Sequence, residues 1–99
     1  MNWNNSNNKE LIEALLVLRN KTEARNFLRD LLTEQEINEF GKRLQTAKML
    51  SNKIPYIQIE DKTGLSSTTI ARVSQWLNNG MGGYKLILAR LHHTNPSGK

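Results

Sequence analysis

The chain has 99 residues, the size of a single domain with a small hydrophobic core. It contains no cysteine, which excludes disulfides and thiolate metal sites and agrees with a reducing cytosol. The net charge of +5 is uneven, with 8 Lys/Arg against 7 Asp/Glu in residues 1–50 and 6 against 2 in residues 51–99. The cationic C-terminal half therefore favours a nucleic acid or an acidic membrane as partner.

The N-terminal half is predicted to be helical after a polar start. Residues 1–8 are rich in asparagine, lack the apolar core of a signal peptide and are expected to be disordered. A helix is predicted from Lys9 to Arg19, and its broad leucine face indicates burial on two sides, including against a partner chain. Its apolar run is too short to cross a bilayer. Thr22 is the predicted cap of a second helix that ends near Leu31.

A capping box opens the third predicted helix. In Thr33-Glu34-Gln35-Glu36, the Thr33 hydroxyl can accept a hydrogen bond from the Glu36 amide, and the Glu36 side chain can reach back. Apolar residues then recur at steps of three or four to about Asn52. Pro55 interrupts the chain before the next helix. The sequence therefore predicts a long helix from Glu34 to about Asn52.

The segment from Tyr56 to Leu77 predicts a helix-turn-helix. Gly64 is the predicted turn, because glycine accepts the positive φ that such a turn needs. Short polar side chains are left on the outer surface of the second helix, where they can approach a DNA groove and bond phosphates or base edges. The candidate DNA-binding residues are Ser66, Ser67, Thr68, Thr69, Ala71, Arg72 and Gln75, with Lys53 and Lys62 as further phosphate contacts.

The C-terminal part predicts one more helix. The Asn- and Gly-rich run 78–83 ends the helix-turn-helix, and a last helix is predicted from Tyr84 to about Leu91. Residues 92–99 are expected to be disordered, and His92-His93 is not predicted to hold a metal. The predicted class is all-α, with five or six helices in one domain over residues 9–91.

Glu60 argues against DNA binding. It lies on the first helix of the motif, where a small residue usually occupies the helix crossing. The alternative function is therefore a protein-interaction module that keeps the helix-turn-helix shape without reading DNA. An enzyme is disfavoured, because the sequence has no paired carboxylates in an apolar setting and no phosphate-cradling glycine loop.

Several short segments carry a family resemblance. They are Leu31-Leu32-Thr33-Glu34-Gln35-Glu36, Gly41-Lys42-Arg43, Gly64, Thr69-Ile70-Ala71-Arg72 and Gly82-Gly83-Tyr84-Lys85-Leu86. Through them, residues 10–91 resemble the tryptophan repressor superfamily, and more closely its tryptophan-repressor-like proteins with a GGYKL segment. The resemblance implies an intertwined homodimer whose recognition helices enter successive major grooves of a palindromic operator. It implies a cytoplasmic, nucleoid-associated transcriptional regulator of the bacterial type, usually a repressor.

The resemblance also raises the question of a tryptophan corepressor. Thr33, Arg43 and Arg72 match residue types that contact tryptophan in the founding member of the family, and arginines bracketing an indole are physically sound. However, Val73 stands where that site has glycine, and Trp76 stands where it has serine. Because overfilling a packed site costs about 1–3 kcal/mol, the slot is predicted to be filled from within, with no cofactor. Another small-molecule effector is the alternative.

Overall fold

The computed structural model describes residues 1–94, and these form six α-helices without a strand. The helices are α1 (Ser6–Leu16), α2 (Lys21–Leu31), α3 (Glu34–Ser51), α4 (Tyr56–Thr63), α5 (Ser67–Asn79) and α6 (Gly83–Thr94). The predicted all-α class with a helix-turn-helix is confirmed. No helix within residues 1–94 combines the length and the apolar character needed to cross a membrane.

The two ends of the helical region differ from the predicted bounds. α1 begins at Ser6, inside the segment predicted to be disordered, because the Asn5 side chain accepts hydrogen bonds from the amides of the first turn at 2.8 and 3.3 Å. It ends at Leu16, three residues before the predicted end. α6 continues to Thr94, beyond the predicted start of the tail at residue 92. The rest of that tail, residues 95–99, lies outside the described residues.

The cap of α2 is also corrected. Asn20 is the N-cap, and its side-chain oxygen accepts from the Glu23 amide at 2.9 Å. The predicted cap, Thr22, lies within the first turn of the helix. Asparagine and threonine are both good caps, and the competing Asn20 stands two residues earlier.

The chain divides into two compact units, residues 1–37 and residues 38–99. In the N-terminal unit, α1 and α2 bury no residue. The exposed apolar side chains of α1 and the segment after it are Leu11, Ile12, Leu15, Leu16 and Val17. This face is the one that the sequence predicts to be covered on two sides, and within its own chain it stays exposed.

The capping box at the start of α3 is confirmed. The Thr33 hydroxyl accepts from the Glu36 amide at 3.1 Å, and the Glu36 carboxylate accepts from the Thr33 amide at 2.9 Å. Hydrogen bonding of the Glu36 carboxylate, to the Thr33 backbone first and then to the Thr33 side chain, holds the pKa of this carboxyl below its usual value. The contribution of these hydrogen bonds to stability is therefore present above the ordinary pKa of glutamate and is lost as the pH falls through the lowered one.

α3 ends in a left-handed residue that is not glycine. Lys53 has a φ of 64°, and its amide bonds the Leu50 carbonyl at 3.0 Å, while the Ile54 amide bonds the Met49 carbonyl at 3.0 Å. This pair of bonds is the Schellman pattern of helix ends. The conformation costs roughly 1–2 kcal/mol for a residue with a Cβ, so Lys53 is held in place by the helix end and by the chain that follows.

The core of the C-terminal unit forms where α4 packs on α5. α4 contributes Ile59 and Thr63, and α5 contributes Ile70, Val73 and Leu77, all buried. On α3, Thr46 and Ala47 are also fully buried. The buried α5 residues recur at steps of three and four, so only one side of α5 enters the core.

The turn between α4 and α5 is fixed by Gly64 and Thr63. Gly64 has a φ of 76°, as predicted, and its amide bonds the Glu60 carbonyl at 2.8 Å. The buried Thr63 hydroxyl donates to the Ile59 carbonyl at 2.7 Å and accepts from the Leu65 amide at 3.1 Å. The turn thus has both a conformational requirement and its own hydrogen bonds.

Lys53 and Gly64 both have a positive φ, and substitutions at these two residues are expected to change stability in opposite directions. Gly64→Ala places a Cβ on a left-handed residue and should lower the free energy of unfolding by about 1 kcal/mol, whereas Lys53→Gly should raise it by up to about 1 kcal/mol. For a chain of this size, each change corresponds to a shift in Tm of roughly 4–8 °C. Thermal unfolding at one fixed protein concentration measures both. Equal destabilisation by the two substitutions would contradict the assignment.

Candidate nucleic-acid interface

α5 exposes a continuous polar stripe opposite its buried side. Its members are Ser67, Thr68, Ala71, Arg72 and Gln75, all of them exposed and all among the predicted DNA-binding residues. Side chains three or four positions apart lie on the same face of a helix. The exposed side chains are short at the start of α5 and longer toward its middle. The backbone of the first turn can therefore approach the surface of a partner most closely.

Ser66 and Thr69 have a different role in the structure. Ser66 caps α5: its Oγ accepts from the Thr69 amide at 3.2 Å and donates to the Thr69 Oγ1 at 3.2 Å. Thr69 is also half-buried. The two hydroxyls are therefore bonded to each other and hold the first turn, whereas Ser67 and Thr68 carry the exposed hydroxyls.

The start of α5 is suited to a negatively charged partner. Its first turn contains no acidic residue, and the amide groups at the N-terminus of a helix carry a partial positive charge. A phosphate group near Ser67 and Thr68 could accept hydrogen bonds from hydroxyls and lie close to this positive end.

The charge of α4 and α5 is balanced. These two helices contain two acidic residues, Glu60 and Asp61, and two basic residues, Lys62 and Arg72. The basic excess of the described C-terminal residues therefore comes from outside them, from Lys53, Lys85 and Arg90. Glu60 is only half-buried, and the buried α4 residues are Ile59 and Thr63.

Lys53 is placed where the chain enters the helix-turn-helix. It is exposed, like Lys62, and its left-handed backbone separates α3 from α4. The sequence marks it as a phosphate contact by its charge alone. Its backbone conformation was not predicted, because that position usually holds glycine or asparagine, and Asn52 stands directly before it.

The three candidate ligand residues have different surroundings. Thr33 lies in the N-terminal unit, where its hydroxyl caps α3. Arg72 is exposed on α5. Arg43 on α3 has partners within the chain: its Nη2 lies 2.8 Å from a carboxylate oxygen of Glu39, and aromatic rings lie near its guanidinium. Two of the three residues, Thr33 and Arg43, thus already contact other groups of this chain.

Phe40 and Trp76 supply those rings. The Cζ of Arg43 lies 5.7 Å from the ring centroid of Phe40 and 5.8 Å from the ring centroid of Trp76, within the range of cation–π contacts. Phe40 is expected from its position three residues before Arg43 on the same helix. The contact with Trp76 joins α3 to α5, and no local spacing in the sequence indicates it.

Trp76 also lines an apolar groove. The groove has a volume of about 470 Å³ and lies between α3, the end of α5 and the start of α6; its walls are Leu44, Trp76, Gly80, Met81, Gly83, Tyr84 and Ile87. Trp76 remains 44% exposed, whereas Val73 one turn earlier is fully buried. Val73 and Trp76, the two residues that differ from the corepressor site of the family, thus lie in different places. Val73 is in the core, and Trp76 is in the wall of the groove.

The chain is similar to known proteins over most of its length. The family model described as Trp repressor protein matches residues 6–92. The uncharacterized protein YerC of Bacillus subtilis (strain 168) is 38% identical over 85 residues, which make up 86% of this chain and 82% of that protein.

Two solved structures have the same fold. A TrpR-like protein from Eubacterium eligens ATCC 27750 has a TM-score of 0.85 and 37% identity, with 90% of this chain and 92% of that chain covered. A candidate Trp repressor from Staphylococcus aureus has a TM-score of 0.84 and 37% identity, with 92% and 94% covered.

The hydrogen bonds at the start of α5 predict a difference between two adjacent serines. Ser66→Ala removes the cap and should lower the free energy of unfolding by about 1 kcal/mol, whereas Ser67→Ala should change it by less than about 0.5 kcal/mol. Chemical denaturation with urea measures both values. If Ser67→Ala proved the more costly, the cap would be wrongly assigned.

Proposed function

The chain belongs to the Trp repressor family, and from that membership we propose that it is a sequence-specific regulator of transcription that binds double-stranded DNA. It acts as a repressor and not as an enzyme, in the cytoplasm and on the nucleoid. The observation that carries the proposal is the exposed polar stripe of α5 next to a capped helix start without acidic residues.

Within this interface the residues divide into two roles. Ser67 and Thr68 stand nearest the base edges, since they are exposed in the first turn of α5. The methyl group of a threonine can contact a thymine methyl, and the hydroxyls can bond a base or a phosphate. Arg72, Lys62 and Lys53 contact phosphates, which fixes the register without reading the sequence.

The active form is a homodimer. α1 and α2 bury no residue in their own chain, and large apolar side chains remain exposed in both units, among them Leu15, Phe40 and Leu86. A second copy covers these surfaces in an intertwined dimer. Because a two-fold dimer presents two identical recognition helices, its operator is a palindrome with half-sites about 34 Å apart.

DNA binding does not require tryptophan. The guanidinium of Arg43 already lies against the Trp76 ring, and the Thr33 hydroxyl already caps α3. Val73 is fully buried, so the space that a glycine would leave at this position is occupied by a side chain of the core. The structure of the site supports a repressor that is active without a corepressor.

The selection of duplexes from a random pool tests the proposed function. We expect a two-fold symmetric consensus, and we expect log K for that duplex to fall with log salt at a slope of about −0.9 for each neutralised phosphate. Sedimentation at several protein concentrations should give a dimer. Failure to enrich any duplex would favour the protein-interaction module. The absence of a net positive charge on α4 and α5 taken together supports that alternative.

Arg72 and Thr68 should respond differently to replacement by alanine. Arg72→Ala should weaken all duplexes alike and make the salt slope of the dimer shallower by about 1.8, since two phosphate contacts are lost. Thr68→Ala should leave the slope unchanged and relax the preference at one base pair of each half-site by about 1–3 kcal/mol. Affinities measured on the consensus and on single-base variants separate the two. If Arg72→Ala changes sequence preference only, its assignment to phosphate is wrong.

Calorimetric titration with free tryptophan tests the absence of a corepressor. We expect no saturable heat at micromolar concentrations and no change in operator affinity when tryptophan is added. The reason is that Val73 and Trp76 occupy or border the space concerned. Micromolar uptake of tryptophan, together with tighter operator binding, would refute this part of the proposal.

A further inference from the structure

We propose that Arg43 and Trp76 form a clamp that sets the direction of α5, so that the orientation of the recognition helix is fixed by the chain itself. We call this contact the Arg43–Trp76 clamp. The proposal rests on the proposed function, because the direction of α5 matters only if α5 enters a DNA groove.

The clamp consists of a cation held next to two rings. The guanidinium carbon of Arg43 lies 5.7 Å from the Phe40 ring centroid and 5.8 Å from the Trp76 ring centroid, and an ion pair of 2.8 Å with Glu39 holds it on α3. Phe40 and Glu39 stand one turn before Arg43 on the same helix, so three points on α3 determine where the guanidinium lies. Trp76 is the partner that does not belong to α3.

Trp76 lies far along α5 from the first turn, so its contact with Arg43 affects the orientation of that turn. Trp76 lies nine residues after Ser67, which corresponds to about 13.5 Å along a helix. The core residues Ile70, Val73 and Leu77 attach α5 to the core along its length. The contact at Trp76 adds an attachment to α3 near the far end of α5, so that the direction of α5 depends on α3 as well as on the core.

The composition of the clamp is not explained by stability alone. The Nε of Arg43 is buried and has no hydrogen-bond partner among the described residues, and leaving such a donor unpaired is unfavourable. Within a single chain the rings of Phe40 and Trp76 are each about half exposed, so the cluster is not part of the core that α4 and α5 form. An apolar side chain at position 43 would avoid the unpaired donor, but it would lose the attraction between cation and ring.

The test uses a double-mutant cycle in a Trp3→Phe background, in which Trp76 is the only tryptophan. Arg43→Met removes the cation and keeps a chain of similar length. Trp76→Leu removes the ring, and Trp76→Phe keeps a ring. Lys42→Met is the matched control, because it removes one positive charge from an exposed neighbouring position on α3.

Operator affinity is the first measurement. We expect Arg43→Met and Trp76→Leu each to weaken binding about fivefold, and the double variant to be no weaker than either single variant. Trp76→Phe should stay within about twofold of the parent. The salt slope should be the same for Arg43→Met and the parent, since Arg43 acts through α5. Additive losses, or a salt slope of the dimer shallower by about 1.8, as the loss of two phosphate contacts would give, would overturn the clamp.

Fluorescence quenching of Trp76 by acrylamide and thermal unfolding are the second and third measurements. Arg43→Met should make the indole easier to quench, whereas Lys42→Met should not. The Tm of Arg43→Met should be equal to or above that of the parent, because the buried unpaired donor is gone. A fall in Tm that parallels the loss of affinity would mean that Arg43 only stabilises the fold.

The two proposals can fail separately. If the parent protein binds no duplex, the proposed function fails, and the quenching measurement alone decides whether Arg43 holds Trp76. If the parent binds its operator while Arg43→Met binds equally well, the clamp fails and the proposed function stands. Equal quenching in the parent, Arg43→Met and Lys42→Met overturns the clamp in either case.

Discussion

The one-sided burial of α5 is the constraint on which the rest of the molecule depends. Ile70, Val73 and Leu77 occupy the core, and their spacing leaves every residue on the opposite side of the helix exposed. Burial of the apolar stripe and the cost of burying unpaired polar groups act together to keep the polar side chains exposed. A change of register by one residue in α5 would move the stripe and bury part of the polar face, so the core and the interface are specified by the same few positions.

The sequence predicts those parts of the structure that depend on local spacing. The capping box of α3, the turn at Gly64 and the apolar stripe of α5 all follow from patterns of three or four residues, and the structure has each of them. The starts of α1 and α2 are less well predicted, since their asparagine caps compete with other nearby polar residues. The contact between Arg43 and Trp76 joins residues 33 positions apart, and no periodicity within one helix can indicate it.

The distribution of charge separates affinity from specificity in the proposed interface. α4 and α5 together carry as many acidic as basic residues, and the basic excess of the described C-terminal residues stands outside them. Under the proposed function, long-range attraction to DNA comes mainly from residues flanking the motif, such as Lys53 and Lys85, whereas the hydroxyls of α5 act only at contact distance. The acidic side chains on α4 repel phosphates of any sequence, so preference for the operator depends on the contacts that α5 makes with it.

The N-terminal unit links folding to assembly under the proposed function. Two amphipathic helices that bury no residue in their own chain are expected to be unstable without a partner. The reason is that most helical stability in proteins comes from packing an apolar face. When a second copy supplies that packing, the unit orders as the dimer forms, and the apparent stability depends on protomer concentration. The C-terminal unit differs, since α4 and α5 share a core within one chain. Dilution would therefore melt the N-terminal helices before the helix-turn-helix. DNA binding would then be lost because the two helix-turn-helix motifs of the dimer separate, and not because the motifs themselves unfold.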